Sequence, residues 1–384
     1  MTFGAVTAGL RASVLGDPGS EVQRRVTEKL AARYGARDVL LTDSGTTALR
    51  LAILAAMGGS KGPVALPGYG CYDLATAAIG AGAHVALYDL DPWTLGPDLS
   101  SLGATMAATR PKAVVVAHLF GCAVDVDAVQ AVSSGAVVIE DAAQGAGGRL
   151  GGRPLGGIGS LSVLSFGRGK GMTGGGGGAL LARDDRGLVL IGRARREVGA
   201  ASTRGVGNMI AMAGQLVLGR PSLYGIPASL PFLHLGETVY QEPRVPGRAP
   251  TASMAMLERL MDPSDLEAGT RERNATRLAR SVTRSRLVEP IRVLPGSEPG
   301  YLRLPVLLRK TEETARAAAW RRHGVTFMYP QTLKSLPALG PHLIDRGAAL
   351  PGSSTLVERL LTLPTHGLLS EGDLRTLEAW LSES

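Results

Sequence analysis

The sequence predicts an α/β fold: a large domain built on a mainly parallel sheet, followed by a small C-terminal α+β domain. Short, continuously apolar segments alternate with helical segments over the first half of the chain. Strands of this kind are typical of a parallel sheet that is buried on both faces. The length of 384 residues exceeds that of one typical domain. From about residue 251 the chain becomes helical and rich in arginine. We therefore place the large domain at residues 1–250 and the small domain at residues 251–384.

The elements of the large domain follow from apolar periodicity. Val22, Val26 and Leu30 fall on one face of a helical pattern, which predicts an amphipathic helix at residues 21–34. Further helices are predicted at residues 48–57, 74–80 and 126–132. Strands are predicted at residues 39–41, 64–66, 84–88, 113–117, 137–139, 162–165 and 178–181.

The small domain is predicted from a sparser set of elements. A strand at residues 301–308 precedes a helix that runs to Arg322. An extended segment at residues 325–329 and a terminal helix at residues 371–382 follow. This mixture indicates an α+β domain.

An apolar stretch at residues 205–235 separates the two sets of elements. Each half is too short to span a bilayer, and Pro221 with two further prolines breaks any long helix. One interpretation is that the stretch packs on the large domain or across a dimer. The other is a helical hairpin that contacts lipid, with the cationic segment 193–204 favouring anionic headgroups.

Composition limits the class of protein. Hydrophobic residues make up 45% of the chain, which excludes a disordered protein. The net charge of +8 comes mostly from scattered arginines, and no nucleic-acid-binding motif accompanies it, so no nucleic-acid partner is expected. Cys71 and Cys122 show no metal-ligand spacing, so no metal is expected. No signal peptide is recognised, which favours the cytoplasm.

A glycine-rich segment around Lys170 is the strongest sign of chemistry. Five glycines follow the lysine at residues 174–178, and an apolar strand upstream runs into Glu140 and Asp141. A lysine that can form a Schiff base and an aspartate that can pair with a pyridinium nitrogen are the residues that pyridoxal phosphate (PLP) chemistry requires. Each residue also has an ordinary interpretation: Lys170 could be a solvated loop lysine, and Asp141 could be a helix N-cap. Glu140 should matter less, because side chains alternate along a strand and its own would point away from Asp141.

A third motif supplies a place for the phosphate. Residues 44–49 read Ser-Gly-Thr-Thr-Ala-Leu, follow a strand and open a helix. Backbone N–H groups there can bind a phosphate at the positive end of the helix. Ser and Thr N-caps are common, so this segment indicates a phosphate site only in combination with the other two motifs. Together with Asp141 and Lys170 it occurs in the order and approximate spacing of one PLP site.

These motifs give the chain a specific resemblance. It resembles the DegT/DnrJ/EryC1/StrS family of sugar aminotransferases, which are PLP-dependent transferases of fold type I. The resemblance covers most of the chain and rests on residues 44–49, 67–72, 118–121, 140–144, 165–170 and 363–371. It implies a homodimer, because active sites in this family form at a dimer interface.

The resemblance implies how the cofactor is held. Gly45 and Thr46 would bind its phosphate, with help from Ser165. Gln144 would reach the side of the ring hydroxyl. Where the family pattern has an aromatic residue this chain has Cys71, so ring stacking either passes to Tyr72 or is replaced by the thiol.

Two residues are assigned to catalysis by the same resemblance. Asp141 would pair with the pyridine nitrogen, and Lys170 would carry the cofactor. The lysine also favours transamination, because family members that resemble dehydratases have lost it. The family's Asn-x-Arg segment, by which a partner subunit reaches the phosphate, is expected near residues 247–254, but these contain no Asn.

We therefore expect an aminotransferase that moves an amino group from an amino-acid donor to a keto-sugar, nucleotide-linked by family analogy, for polysaccharide or glycoconjugate synthesis. Two alternatives remain. The stretch 205–235 suggests a PLP enzyme that acts on a lipid-linked or apolar ketone. Such an enzyme would be a cytoplasmic protein that associates with the membrane surface. The other alternative is a PLP-binding regulatory protein without catalysis, against which Lys170 and Asp141 argue.

Overall fold

The structure is a computed structural model that describes residues 7–9, 19–60, 62–199 and 239–382. The apolar stretch at residues 205–235 lies outside the described residues.

The large domain alternates strands and helices as predicted. Its strands are β1 (Asp38–Thr42), β2 (Pro63–Pro67), β3 (His84–Tyr88), β4 (Ala113–Ala117), β5 (Val137–Asp141), β6 (Arg149–Leu150), β7 (Arg153–Pro154), β8 (Leu161–Ser165) and β9 (Gly178–Ala182). Its helices are α1 (Gly19–Tyr34), α2 (Gly45–Met57), α3 (Asp73–Gly80), α4 (Leu99–Thr109), α5 (Val126–Val132) and α6 (Asp185–Arg196).

Seven of these strands form one sheet in the order β1-β9-β8-β5-β4-β2-β3. The five strands from β8 to β3 run parallel to one another. Strand β9 is antiparallel to both of its neighbours, β1 and β8. The sheet is therefore mixed and mostly parallel, which confirms the predicted fold class.

Alternation along the strands builds two core layers. In β4, Ala113 and Val115 belong to the cluster that contains α2, α3 and α6. Val114 and Val116 belong to the cluster on the opposite face, with side chains of α4 and α5. Helices therefore cover both faces, which explains why the strands are apolar at nearly every position.

The small domain contains a four-stranded antiparallel sheet in the order β10-β12-β14-β13. Its strands are β10 (Val288–Pro290), β12 (Leu304–Leu308), β13 (Thr326–Phe327) and β14 (Leu360–Leu363), and β11 (Ser297–Glu298) pairs instead with β6 of the large domain. The helices of this half are α7 (Thr251–Val282), α8 (Thr314–Ala318), α9 (Pro351–Arg359) and α10 (Glu371–Ser382).

Helix α7 joins the two domains. Met254 and Leu257 pack in the cluster that contains Val26 of α1. Further along the same helix, Ala275 and Leu278 pack in the core of the small domain. The boundary proposed after residue 250 thus coincides with the start of a helix that contributes to both cores.

Candidate active site

A pocket lies at the carboxyl ends of β4, β5 and β8, beside the first turn of α2. Open α/β sheets bind ligands at this edge. The pocket brings together six of the residues that the sequence analysis selected, namely Gly45, Thr46, Asp141, Gln144, Ser165 and Lys170. Segments that are far apart in the chain therefore meet in one pocket.

The first turn of α2 forms the anion-binding end of the pocket. Ser44 caps the helix, because its Oγ accepts a hydrogen bond from the Thr47 backbone N–H at 3.1 Å. A Cβ atom on Gly45 would lie 2.6 Å from Cβ of Ser165, so only glycine lets the helix approach β8 this closely. Thr46 follows on the pocket wall. The free N–H groups and positive dipole of this turn suit a phosphate.

Asp141 is the last residue of β5 and its carboxylate lines the pocket. Its Oδ1 accepts a hydrogen bond from the Ala143 backbone N–H at 2.9 Å. Burial raises the pKa of Asp141, while the Ala143 N–H and the charge of Lys170 act in the opposite direction. A protonated pyridine nitrogen beside this carboxylate would restore a partner for its charge.

Two buried side chains anchor the loop that carries Lys170. Phe166 and Met172 pack in the core on either side of the lysine. The Phe166 backbone N–H donates to the Gly177 carbonyl at 2.9 Å, and the Phe166 carbonyl accepts from the Gly174 N–H at 2.9 Å. Lys170 itself is half-buried and lines the pocket together with Asp141. The amine is thus presented from a loop whose ends are fixed.

Gln144 connects the pocket to the small domain. Its Oε1 accepts from the Phe120 backbone N–H at 2.8 Å, and its Nε2 donates to the Tyr329 hydroxyl at 2.9 Å. The Tyr329 ring is buried and meets Tyr69 edge to face, with ring centroids 5.2 Å apart. Gln144 therefore lines the pocket with its amide already oriented.

Of the two stacking candidates, the structure places Cys71 in the pocket. Cys71 is a lining residue and its Sγ donates to Oδ2 of Asp73 at 3.4 Å. Burial, followed by the charge of Asp73, raises the pKa of the thiol to about 12. Tyr72 packs instead in the apolar cluster of α2 and α3, away from the described walls of the pocket. Cys71 rather than Tyr72 is therefore among the described lining residues, at the position where the resemblance implies an aromatic residue.

His118 and Glu140 also belong to this region. His118 is 1% exposed and yet lines the pocket, so it is both a packed strand-end residue and a wall residue. Glu140 is completely buried, and its carboxylate is directed at His118 and at the backbone N–H groups of Gly156 and Gly159. The expectation that Glu140 matters less than Asp141 for activity stays a prediction.

The sequence analysis did not select Asp73, which lines the pocket, or Tyr329, which binds the lining residue Gln144. Asp73 lines the pocket mouth beside Cys71. Its local signal is its position directly after the selected segment 67–72, two residues beyond Cys71. Tyr329 follows β13, about 185 residues from Gln144, and no local pattern marks such a distant contact.

The residues present fit PLP. The pocket offers a helix N-terminus that approaches β8 closely because residue 45 is glycine, a half-buried aspartate for the ring nitrogen and a half-buried lysine. Fold and pocket together define a PLP-dependent transferase of fold type I. The chain belongs to the DegT/DnrJ/EryC1/StrS aminotransferase family, whose model matches residues 2–216.

Characterised relatives match part of the chain. L-glutamine:2-deoxy-scyllo-inosose aminotransferase of Streptoalloteichus tenebrarius is 35% identical over 161 residues, which is 41% of this chain and 38% of that enzyme. GDP-perosamine synthase of Caulobacter vibrioides is 34% identical over 161 residues, 41% of this chain and 43% of that enzyme. The match thus spans less than half the length of these relatives.

A solved structure extends the similarity of fold to the whole chain. The sugar aminotransferase CalS13 from Micromonospora echinospora superposes with a TM-score of 0.77 at 23% identity. The superposition covers 100% of this chain and 98% of that one. It supports the fold of both domains.

Proposed function

We propose that the protein is a PLP-dependent aminotransferase that moves an amino group from an amino-acid donor to a keto-sugar. The observation that carries this proposal is the convergence of Lys170, Asp141 and the first turn of α2 in one pocket. The family is one of aminotransferases, and the retained lysine agrees with transamination rather than with dehydration.

The cofactor, when bound, supplies an electron sink for the bonding electrons at the donor α-carbon. The first turn of α2 and Ser165 would bind its phosphate. Asp141 would hold a proton on the ring nitrogen, since a half-buried carboxylate is stabilised by a cationic partner. Lys170 Nζ takes the proton from the donor α-carbon and acts as general base and acid. The His118 ring closes one wall.

The relatives suggest the substrate classes. One is named for L-glutamine as donor and for 2-deoxy-scyllo-inosose as acceptor. Another is named for a nucleotide-linked amino sugar, GDP-perosamine. We propose glutamine or glutamate as donor, and a polyhydroxylated ketone, nucleotide-linked in the first instance, as acceptor. The pathway would be one of polysaccharide or glycoconjugate synthesis.

Each half-reaction can be tested separately. The PLP-loaded protein is mixed with L-glutamine or L-glutamate without acceptor, and the keto-acid product is measured by mass spectrometry. One equivalent per active site supports the proposal, and absence of product with every amino acid tried contradicts it. The amino form is then offered a panel of keto-sugar nucleotides and keto-cyclitols, with Lys170→Ala as the inactive control. The same assay rejects the non-catalytic regulatory alternative if turnover occurs.

Assembly and location form a separate part of the proposal. We propose a cytoplasmic homodimer, tested by light scattering of the full chain. In the part of the chain that the structure describes, no helix is both long and apolar enough to cross a membrane. Contact of residues 205–235 with a membrane surface remains the alternative. Flotation with anionic liposomes, comparing the full chain with a deletion of that segment, distinguishes the two.

A further inference from the structure

Glu140 has an unusual environment for a carboxylate. Its side chain is completely buried, and burial of an unpaired charge in a protein interior is strongly unfavourable. Two donors reach Oε1 and three reach Oε2. The Oε1 donors are the Gly156 N–H at 2.6 Å and His118 Nε2 at 2.9 Å, and the Oε2 donors are the Ile158 N–H at 3.0 Å, the Gly159 N–H at 2.8 Å and the Ser162 hydroxyl at 2.8 Å.

These bonds keep Glu140 ionised. Burial by itself would raise the pKa of Glu140, but the hydrogen bond from His118 and those from the Gly159 and Gly156 N–H groups outweigh it and lower the pKa to about 2. A carboxylate with five donors is therefore a fixed anionic centre immediately next to Asp141 in the chain.

The His118 ring is fixed by the same arrangement. Its Nδ1 accepts a hydrogen bond from the Val124 backbone N–H at 3.0 Å. The ring proton therefore sits on Nε2 and is donated to Glu140. With both nitrogens engaged, the ring has one orientation, and it forms part of the pocket wall.

Backbone contacts extend this arrangement to Asp141. The His118 backbone N–H donates to the Asp141 carbonyl at 3.0 Å, and the Ala142 N–H donates to the Val163 carbonyl on β8 at 2.9 Å. Because Glu140 joins Ser162 of β8 to His118 at the end of β4, it ties together the two strands that flank Asp141.

We propose that Glu140 and His118 form a positioning pair for Asp141, which sets the direction of its carboxylate and holds the His118 ring against the bound cofactor. The inference rests on the proposed role of Asp141 towards PLP. It concerns positioning, because both His118 nitrogens and both Glu140 oxygens are already engaged in hydrogen bonds within the protein. An apolar residue at position 140 would fill the same space in the interior without the cost of burying a charge. The carboxylate of Glu140 instead binds His118, which forms part of the pocket wall.

The test compares Glu140→Gln with a matched control. In Glu140→Gln an amide NH₂ replaces one oxygen and faces backbone donors. The control is Glu289→Gln, which removes a half-buried carboxylate bound to Arg359 at 2.6 Å in the small domain. Three quantities are measured: PLP affinity of the apo protein, visible circular dichroism of bound PLP, and unfolding temperature. We expect Glu140→Gln to weaken PLP binding by about tenfold and to change the dichroism, whereas Glu289→Gln should change only the unfolding temperature.

A second variant covers the case in which Glu140→Gln does not fold. His118→Phe keeps a flat ring on the pocket wall but removes the donor to Glu140, and should reproduce the weaker affinity and altered dichroism. If the variants that fold lower the unfolding temperature but bind PLP with wild-type affinity and dichroism, the pair only stabilises the fold and the inference is wrong. Failure of the wild-type protein to bind PLP would overturn the proposed function and the inference together.

Discussion

Gln144 and Tyr329 form a hydrogen bond of 2.9 Å between the pocket and the small domain. The Gln144 amide oxygen is already bound to the Phe120 backbone N–H, which fixes the amide plane and directs Nε2 at the tyrosine hydroxyl. Tyr329 in turn packs against Tyr69 of the large domain. The position of the small domain is thereby coupled to a residue that lines the cofactor pocket.

Tyr329→Phe should lower the free energy of unfolding by about 1 kcal/mol, because Gln144 Nε2 loses its acceptor at a half-buried position. It should also weaken PLP binding. Tyr88→Phe is the matched control, since its buried hydroxyl donates to the Val115 carbonyl at 2.7 Å within the sheet. Urea unfolding and PLP titration of both variants provide the measurement. Equal PLP affinity in the two variants would contradict the coupling.

Lys170 should be the site of covalent attachment of the cofactor. Borohydride reduction of the PLP-loaded protein followed by peptide mapping should place the pyridoxyl group on Lys170, because this amine lines the pocket beside Asp141. Lys170→Ala should bind PLP only weakly and show no turnover. Label on another lysine, such as Lys112 or Lys334, would refute the assignment.

Asp141→Asn should retain the fold and lose most of the activity. A neutral amide cannot hold a proton on the ring nitrogen, and the loss of a positioned charge typically costs about 10²–10³ in rate. The amide also keeps an oxygen for the Ala143 N–H that Oδ1 now accepts. Turnover is measured with donor and acceptor present, and circular dichroism checks the fold. Activity close to wild type would argue against the role.

The lowered pKa of Glu140 predicts how the free energy of unfolding depends on pH. Its pKa in the folded protein is about 2, below the ordinary value of 4.5, so its contribution is present above the unfolded-state pKa and is lost as the pH falls through the folded pKa. We therefore expect the difference in free energy of unfolding between wild type and Glu140→Gln to become smaller as the pH falls from about 6 to about 2. Urea unfolding of both proteins over this range measures that difference. A gap that does not change with pH would show that Glu140 is not ionised.

Much of the large domain is predictable because its signals are local. The strands at residues 84–88 and 113–117 agree with β3 and β4 at both ends, and Ser44 caps α2 where the sequence indicates a helix start. Convergence of Asp141 and Lys170 follows from the parallel arrangement of β5 and β8, since the carboxyl ends of parallel strands share one edge of a sheet.

The remaining features depend on contacts that a local pattern does not contain. The strand predicted at residues 301–308 begins only at Leu304, because Tyr301 has a left-handed backbone conformation with φ of 38°. The burial of Glu140 depends on backbone donors from a loop about 16–19 residues later in the chain. The choice between Cys71 and Tyr72 is decided by the start of α3, which turns the tyrosine into the apolar cluster.

Cys71 gives a test of the pocket that does not depend on catalysis. Because burial raises the pKa of its thiol to about 12, little thiolate exists at neutral pH and alkylation by iodoacetamide should be slow in the apo protein. PLP should slow it further by covering the partly exposed sulfur on the pocket wall. Cys122 serves as the internal control, since it is buried in the core outside the described pocket walls. Its alkylation should be slow, and its rate should not change when PLP is added. The two alkylated peptides are quantified by mass spectrometry over time, with and without PLP. Protection of Cys71 alone supports its position against the cofactor, and equal alkylation rates with and without PLP would place the cofactor elsewhere.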